Sequence, residues 1–425
     1  MRILNAMTAC CALTVLMVGP AKAENWHISF NHTGYAPTEI IADIERDGDD
    51  LSLAAPGFDL QFTCDGEICE SQTTGGNIVT MNLDADQITG SVSAGLLGGD
   101  LAAVPTDQSL SDVLRDYSSI AEEVIVALNE NAFDPAQLET EAFLQFTASF
   151  RNQAANSHND LEFLRAMRNT WEEAHPFSHV VLSRADAPVP ALVDFLDGMN
   201  VGFEAARLTW QGDVAILTVD TMMGNDTIEQ IEAAYDAIAE RGASGLIIDL
   251  RANGGGAFAV KPLVEHVIDE PSDVGYFLSR RWTEHNDENP TLERVQQEEP
   301  WTGWSIRSFW ADVLERGIVR IRMEPAANNY DGPIIVLTSN TTASAAEMAA
   351  DALKGSGVTT LVGEQTAGEM LSQTMFDLSG GFQLALPIAD YVSVAHGRVE
   401  GAGVTPHIVT SAGEAMDVAL QMLAD

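Results

Sequence analysis

From about Val201 onward, short apolar segments alternate with amphipathic ones, and this alternation limits the fold more than any other feature of the chain. Val214–Val219 reads as a strand and Asp226–Arg241 as an amphipathic helix. Gly245–Leu250 is a wholly apolar run apart from Asp249, so it reads as a buried strand, and it enters a glycine-rich loop. Pro333–Thr338 reads as another strand, Ser344–Lys354 as the helix that follows it, and Leu361-Val362 as the start of a further strand. Strands alternating with helices imply a parallel sheet covered by helices, an α/β class.

Upstream the patterns differ. Residues 24–105 carry short β-like runs (Trp26–Phe30, Phe58–Phe62, Ile78–Met81, Ile88–Val92) separated by Gly/Asp turns, which predicts a small β-rich domain. Residues 106–200 turn helical. Leu110, Val113, Leu114, Tyr117, Ile120 and Val124 recur at three- and four-residue steps, and Leu161–Trp171 follows Asn159-Asp160, which suits a helix cap. Inside the last domain, 201–425, an insertion at about 280–322 holds Trp282, Trp301, Trp304 and Trp310 among many charges. Two readings stand: an ordinary helical insertion with a small core of its own, or a lid over a site.

Residues 1–23 read as a cleavable signal peptide. Arg2 is followed by a largely apolar stretch, a Gly19-Pro20 break and a small-x-small Ala21-Lys22-Ala23 site. The apolar part is short for a membrane span, so the expectation is a periplasmic or secreted protein with no stable membrane insertion once the signal is removed. Cys10 and Cys11 leave with that segment. Cys64 and Cys69 remain, and in an oxidising compartment they are expected to pair as a disulfide across a tight hairpin; without a nearby histidine cluster they make a poor zinc site. No metal and no organic cofactor is expected.

Sixty-three acidic residues against 21 basic ones give a formal net charge of −42. A field of that sign repels nucleic acid and anionic membranes, which excludes those partners. It leaves two readings open, a solvated acidic surface suited to a salty exterior and an attraction for cationic substrates.

Two junctions carry the chemistry. Asn253-Gly254-Gly255-Gly256 follows a strand, and such a turn exposes N–H groups that bind a phosphate or an oxyanion. The phosphate-loop Gly-Lys-Ser/Thr and the G-x-G-x-x-G pattern are both missing. Thr341-Thr342-Ala343-Ser344 sits where a strand passes into a helix, and Ser344 there meets the positive end of the helix dipole. Ser344 with Glu347 also reads as a simple capping box. Taken together, the two loops form an acyl-binding arrangement at one end of a parallel sheet, where ligands usually bind.

Gly245–Gly256, Pro333–Glu347, Val362–Gly368 and Val399–Pro406, in this order and register, resemble the tail-specific (C-terminal-processing) serine protease family over roughly Val201–Asp425. The resemblance implies a crotonase-like (ClpP-like) core and Ser344 as nucleophile. It also implies an oxyanion hole from the N–H of Ala345 and of a loop glycine, Gly256 first and Gly255 next. The sequence departs from the family where its catalytic lysine would stand, which here is Glu369. The stretch between His179 and Val201 is also too short for a peptide-binding PDZ module. The tricorn-like and interphotoreceptor retinoid-binding-protein-like branch, which lacks the lysine, is similar instead. It implies His179 of Phe177-Ser178-His179 as general base, with Ser178 and Glu400 holding it. His175 competes for the role of base, and His266 and His396 compete less. The expected activity is therefore peptide-bond hydrolysis on a peptide or protein substrate. An esterase using the same site, and a non-catalytic binder of apolar ligands on the same fold, are the alternatives.

Overall fold

The computed structural model describes residues 25–424 except 33–37, 57, 73–77, 85, 86, 94–98, 110, 111, 113 and 186. The expected signal peptide, 1–23, lies outside the described residues. Two compact units are present; among the described residues one takes in 25–31 with 39–114 and the other 32, 38 and 115–424.

The first unit is a closed barrel of eight strands in sequential order. They are β1 (Asn25–His32), β2 (Thr38–Asp47), β3 (Asp50–Ala55), β4 (Phe58–Asp65), β5 (Ile68–Gln72), β6 (Ile78–Leu83), β7 (Ile88–Ser93) and β8 (Gly99–Thr106). Alternation makes this work. In β3 and β6 the buried residues alternate with more exposed ones (Leu51 and Leu53, Val79 and Met81), and Ile28, Ile40, Leu53 and Met81 are completely enclosed. Cys64 and Cys69 face each other across the β4–β5 hairpin and are joined as a disulfide. The sequence showed four of these strands; β2, β3, β5 and β8 are additional.

The second unit begins with three helices, α1 (Tyr117–Asn131), α2 (Glu141–Ala155) and α3 (Asp160–Ala174). The expected helix beginning near Leu110 instead starts at Tyr117, because Asp116 caps it by accepting from Ser119 N–H. Leu110 and Val113 lie outside the described residues, and Leu114 is half exposed. Asn159 caps α3 through Glu162 N–H, at 2.8 Å. Phe146, Phe150, Phe163 and Trp171 from these helices form an edge-and-stack cluster that packs on Phe382.

Strand β9 (Val181–Arg184) and helix α4 (Val189–Gly198) lead into two six-stranded sheets. The first has the order β10 (Ala206–Gln211), β11 (Val214–Val219), β12 (Gly245–Asp249), β15 (Ile334–Thr338), β16 (Thr359–Gly363), β20 (Ile408–Val409). From β11 onward it is parallel. Helix α5 (Asn225–Arg241) connects β11 to β12. Strands β12 and β15 are buried at every position, as a sheet covered on both faces requires. The other sheet is antiparallel, with β13 (Ser272–Ser279) between β14 (Ile318–Met323) and β18 (Phe382–Ser393). Strand β17 (Leu371–Leu378) lies beyond β18, and β9 and β19 (Gly397–Arg398) also pair with β18.

The tryptophan-rich insertion, expected at about 280–322, is joined to the antiparallel sheet at both ends. It springs from β13, and its last residues are strand β14 of the antiparallel sheet. Between them lie α7 (Arg280–Thr283), α8 (Leu292–Gln296) and α9 (Ile306–Glu315); α6 (Val260–Glu265) precedes β13. Only part of its interior is its own. Trp282 packs with Tyr276, Leu278, Val295 and Ile318, whereas Trp301 stacks on Phe258 and joins the main core.

Candidate active site

The parallel register sets Asp249 beside Leu337, so the loops that leave β12 and β15 emerge side by side. Asn253, fully buried, ties them together. Its amide donates to Val219 O (3.0 Å), its side-chain oxygen accepts from Gly255 N–H (2.9 Å), and its carbonyl accepts from Ala343 N–H (3.1 Å). Gly255 has φ +100, and a Cβ there would lie 2.6 Å from Ser344 Cβ; the close approach admits glycine alone. Gly256, φ +142, bridges to Met222 across the neighbouring strand end.

Ser344 stands one residue before α10 (Ala345–Gly355) with φ +55, and its hydroxyl points to His179. Among the described residues only His175, His179 and Ser344 are non-glycine residues with positive φ. Such backbone costs about 1–3 kcal/mol each and persists where the surroundings enforce it. At His179 they do. Trp171 Nε1–H donates to Phe177 O at 2.9 Å, and the Phe177 ring sits edge-on between Trp171 and Phe133. Beyond the turn, β9 pairs with β18. Ser178, His179 and Val180, which lie between these anchors, are thereby fixed.

Four side chains meet in a chain. His179 Nε2 lies 3.2 Å from Ser344 Oγ, and His179 Nδ1 lies 2.7 Å from Ser178 Oγ. Ser178 donates its hydroxyl to Glu400 Oε2 (3.0 Å) and its N–H to Glu400 Oε1 (3.0 Å). Since the Ser178 proton goes to the Glu400 carboxylate, its lone pair accepts the Nδ1 proton. That tautomer leaves Nε2 unprotonated, facing the Ser344 hydroxyl. Burial lowers the pKa of His179 to about 4, so the imidazole is neutral at pH 7.

The competing histidines are held elsewhere. His175 ends α3 in a left-handed conformation and is exposed. His266 stacks on Tyr235 and meets Glu232, and His396 meets Asp351. Glu369, expected from the sequence where the family lysine would stand, is exposed; its carbonyl accepts from Ser344 N–H at 2.9 Å.

The backbone donors expected to form an oxyanion hole differ in their commitments. The Gly255 N–H is committed to Asn253, while Ala345 N–H lies in the unsatisfied first turn of α10. A recess beside Gly256 is lined by Met222, Met223, Phe258, Trp304 and Ile306. Its outer wall comes from the insertion, pinned where Asp197 of α4 accepts from Ser305 Oγ–H (2.7 Å) and Ile306 N–H. No group of His, Cys, Asp or Glu able to hold a metal occurs among the described residues.

Sequence reading took Glu347 for a helix cap, and it does accept from Ser344 N–H at 3.2 Å. It is also wholly buried and accepts from Thr366 Oγ–H (2.5 Å), Gly368 N–H (2.8 Å) and Glu369 N–H (2.8 Å). Burial raises its pKa while these hydrogen bonds lower it. The motif Val362–Gly368 was the only signal for these partners.

A serine at the mouth of a parallel sheet, linked through a histidine and a second serine to a buried carboxylate, is an arrangement able to activate a nucleophile. The family model for peptidase family S41 matches residues 213–410. The carboxyl-terminal-processing protease of Synechocystis sp. is 30% identical over 178 residues, 42% of this chain and 34% of that protein. That of Picosynechococcus sp. is 27% identical over 234 residues, 50% and 53% respectively. The chain thus spans about a third to a half of the length of the curated relatives it matches. A putative peptidase from Parabacteroides merdae has the same fold, with TM-score 0.51 and 16% identity over 73% of this chain and 98% of that one. Residues 213–410 are thus similar to peptidase family S41, and the chain is similar over part of its length to the carboxyl-terminal-processing proteases. Ser344 and Glu400 fall inside the matched segment; Ser178 and His179 precede it.

Proposed function

We propose that this chain is an exported serine peptidase of the lysine-free branch of that family, built on a crotonase-like core. The observation that carries the reading is the continuous hydrogen-bonded chain Ser344–His179–Ser178–Glu400. His179 takes the Ser344 proton as Oγ attacks the scissile carbonyl, and the tetrahedral oxyanion forms against the N–H groups of Ala345 and Gly256. His179 then passes the proton to the leaving amine, which departs and leaves an acyl-enzyme. Water, deprotonated by His179, hydrolyses that ester and returns Ser344. Ser178 and Glu400 hold the tautomer and stabilise the imidazolium.

The test is labelling of the purified protein with a fluorophosphonate probe beside Ser344→Ala and His179→Ala. Labelling lost in both variants supports an activated serine and its base. A folded wild type that stays unlabelled sinks the reading and favours a binder of apolar ligands. Turnover of matched peptide and ester substrates then separates a peptidase from an esterase.

A further inference from the structure

Three consecutive backbone N–H groups, those of Gly368, Glu369 and Met370, are each taken by a buried carboxylate. Glu347 accepts the first two, at 2.8 Å each, and Glu400 Oε2 the third, at 2.7 Å. Glu347 rides on α10 three residues after the nucleophile and also holds the N–H of Ser344. Glu400 is the far end of the hydrogen-bonded chain. The segment adds its own links: Glu369 O accepts from Ser344 N–H (2.9 Å), and Gly368 O accepts from Gly401 N–H (2.7 Å).

We infer that Glu347 is a positioning residue for hydrolysis: through the 368–370 amides it locks the nucleophile and Glu400 into one frame. The inference rests on the hydrolase reading above. Its physical basis is the count of donors. A carboxylate offers two oxygens with about four acceptor sites, and here four donors fill them: Ser344 N–H, Thr366 Oγ–H, Gly368 N–H and Glu369 N–H. A neutral side chain cannot match this. Gln at 347 keeps the size but turns an NH2 group toward N–H donors, so at least one buried donor loses its acceptor. The segment then relaxes, and the Ser344-to-His179 separation is no longer set from both sides. Thr366 is the outer brace, since its hydroxyl also accepts from Val404 N–H at 2.6 Å. Capping alone does not explain the arrangement, because a helix N-cap needs only the one bond to Ser344 N–H.

The experiment compares wild type, Glu347→Gln and Thr366→Val by fluorophosphonate labelling, split into probe affinity and maximal labelling rate. Amide hydrogen exchange over 366–370 and 398–401 is followed in parallel. Expected for Glu347→Gln is a fall of about tenfold or more in maximal rate with probe affinity little changed, as a displaced reacting group gives. Exchange should rise in both segments. Thr366→Val should move both readouts the same way by less, and it serves as the deciding variant if Glu347→Gln does not fold. A folded Glu347→Gln that labels at the wild-type maximal rate overturns the inference. If the wild type itself does not label, the hydrolase reading fails, and exchange alone decides whether the two carboxylates share a frame: faster exchange at 398–401 keeps that coupling, and unchanged exchange ends it.

Discussion

At the scale of single residues, the protonation of His179 governs what the site can do. Burial puts its pKa at about 4, below the ordinary value of 6.5. His179 is therefore unprotonated through the mildly acidic range, and if it acts as the proposed base the labelling rate should hold from pH 7 to about 5 and fall only toward 4. The rate of fluorophosphonate labelling against pH reads this directly; an acid limb centred near 6.5 would contradict it. The same shift has a stability consequence of defined sign. Between about 4 and 6.5 the unfolded chain binds a proton at this histidine and the folded chain does not, so stability rises with pH across that window. The contribution is complete above 6.5 and is lost as pH falls toward 4. Ser344 and His179 were legible in the sequence because each sits in a local pattern, Thr-Thr-Ala-Ser-Ala-Ala-Glu and Phe-Ser-His. The bracket around Glu347 was not legible. Apart from Ser344, its partners lie 19 to 22 residues away and most are backbone amides, which have no side-chain signature.

Among elements, legibility followed packing. Strands β12 and β15, buried throughout, stood out as apolar runs, and the helix after Ser344 was visible from its cap. The barrel strands are short and half polar. Asp50–Ala55 buries only two residues, so its alternation is hard to tell from a loop, and closure of the barrel depends on pairings no local window contains. The insertion was legible only in part: Trp282 does sit in a small cluster with Val295 and Ile318. Its tryptophans suggested a separate core, yet Trp301 spends its ring on Phe258, just beyond the glycine loop. One barrel element carries a measurable prediction. The Cys64–Cys69 bridge closes a very short loop, with a sequence separation of 5. Loop-closure entropy for so small a ring amounts to about 2 kcal/mol. Replacing both cysteines with serine should lower the barrel's unfolding free energy by about that amount in denaturant melts. A loss near zero would mean that the hairpin pairing alone holds the turn.

For the molecule as a whole, the net charge of −42 has two salt effects of opposite sign. Like charges over one surface repel, and compaction brings them closer, so screening should stabilise the fold. The Debye length shrinks from about 30 Å at 0.01 M to about 3 Å at 1 M, enough to silence most of that repulsion. The melting temperature should therefore rise with salt over this range. Association works the other way. If the acidic field gathers cationic peptides, kcat/KM for an Arg- and Lys-rich substrate should fall steeply over the same range, because steering is a long-range term that salt removes. A neutral fluorophosphonate probe meets no such steering and supplies the control: its labelling rate should stay flat while the fold remains intact. The decisive comparison is the ratio of cationic-peptide to neutral-probe rates at low and high salt. A ratio that drops with salt assigns the acidic surface a part in choosing substrates. A flat ratio beside a rising melting temperature assigns it to solvation and stability in a salty medium alone.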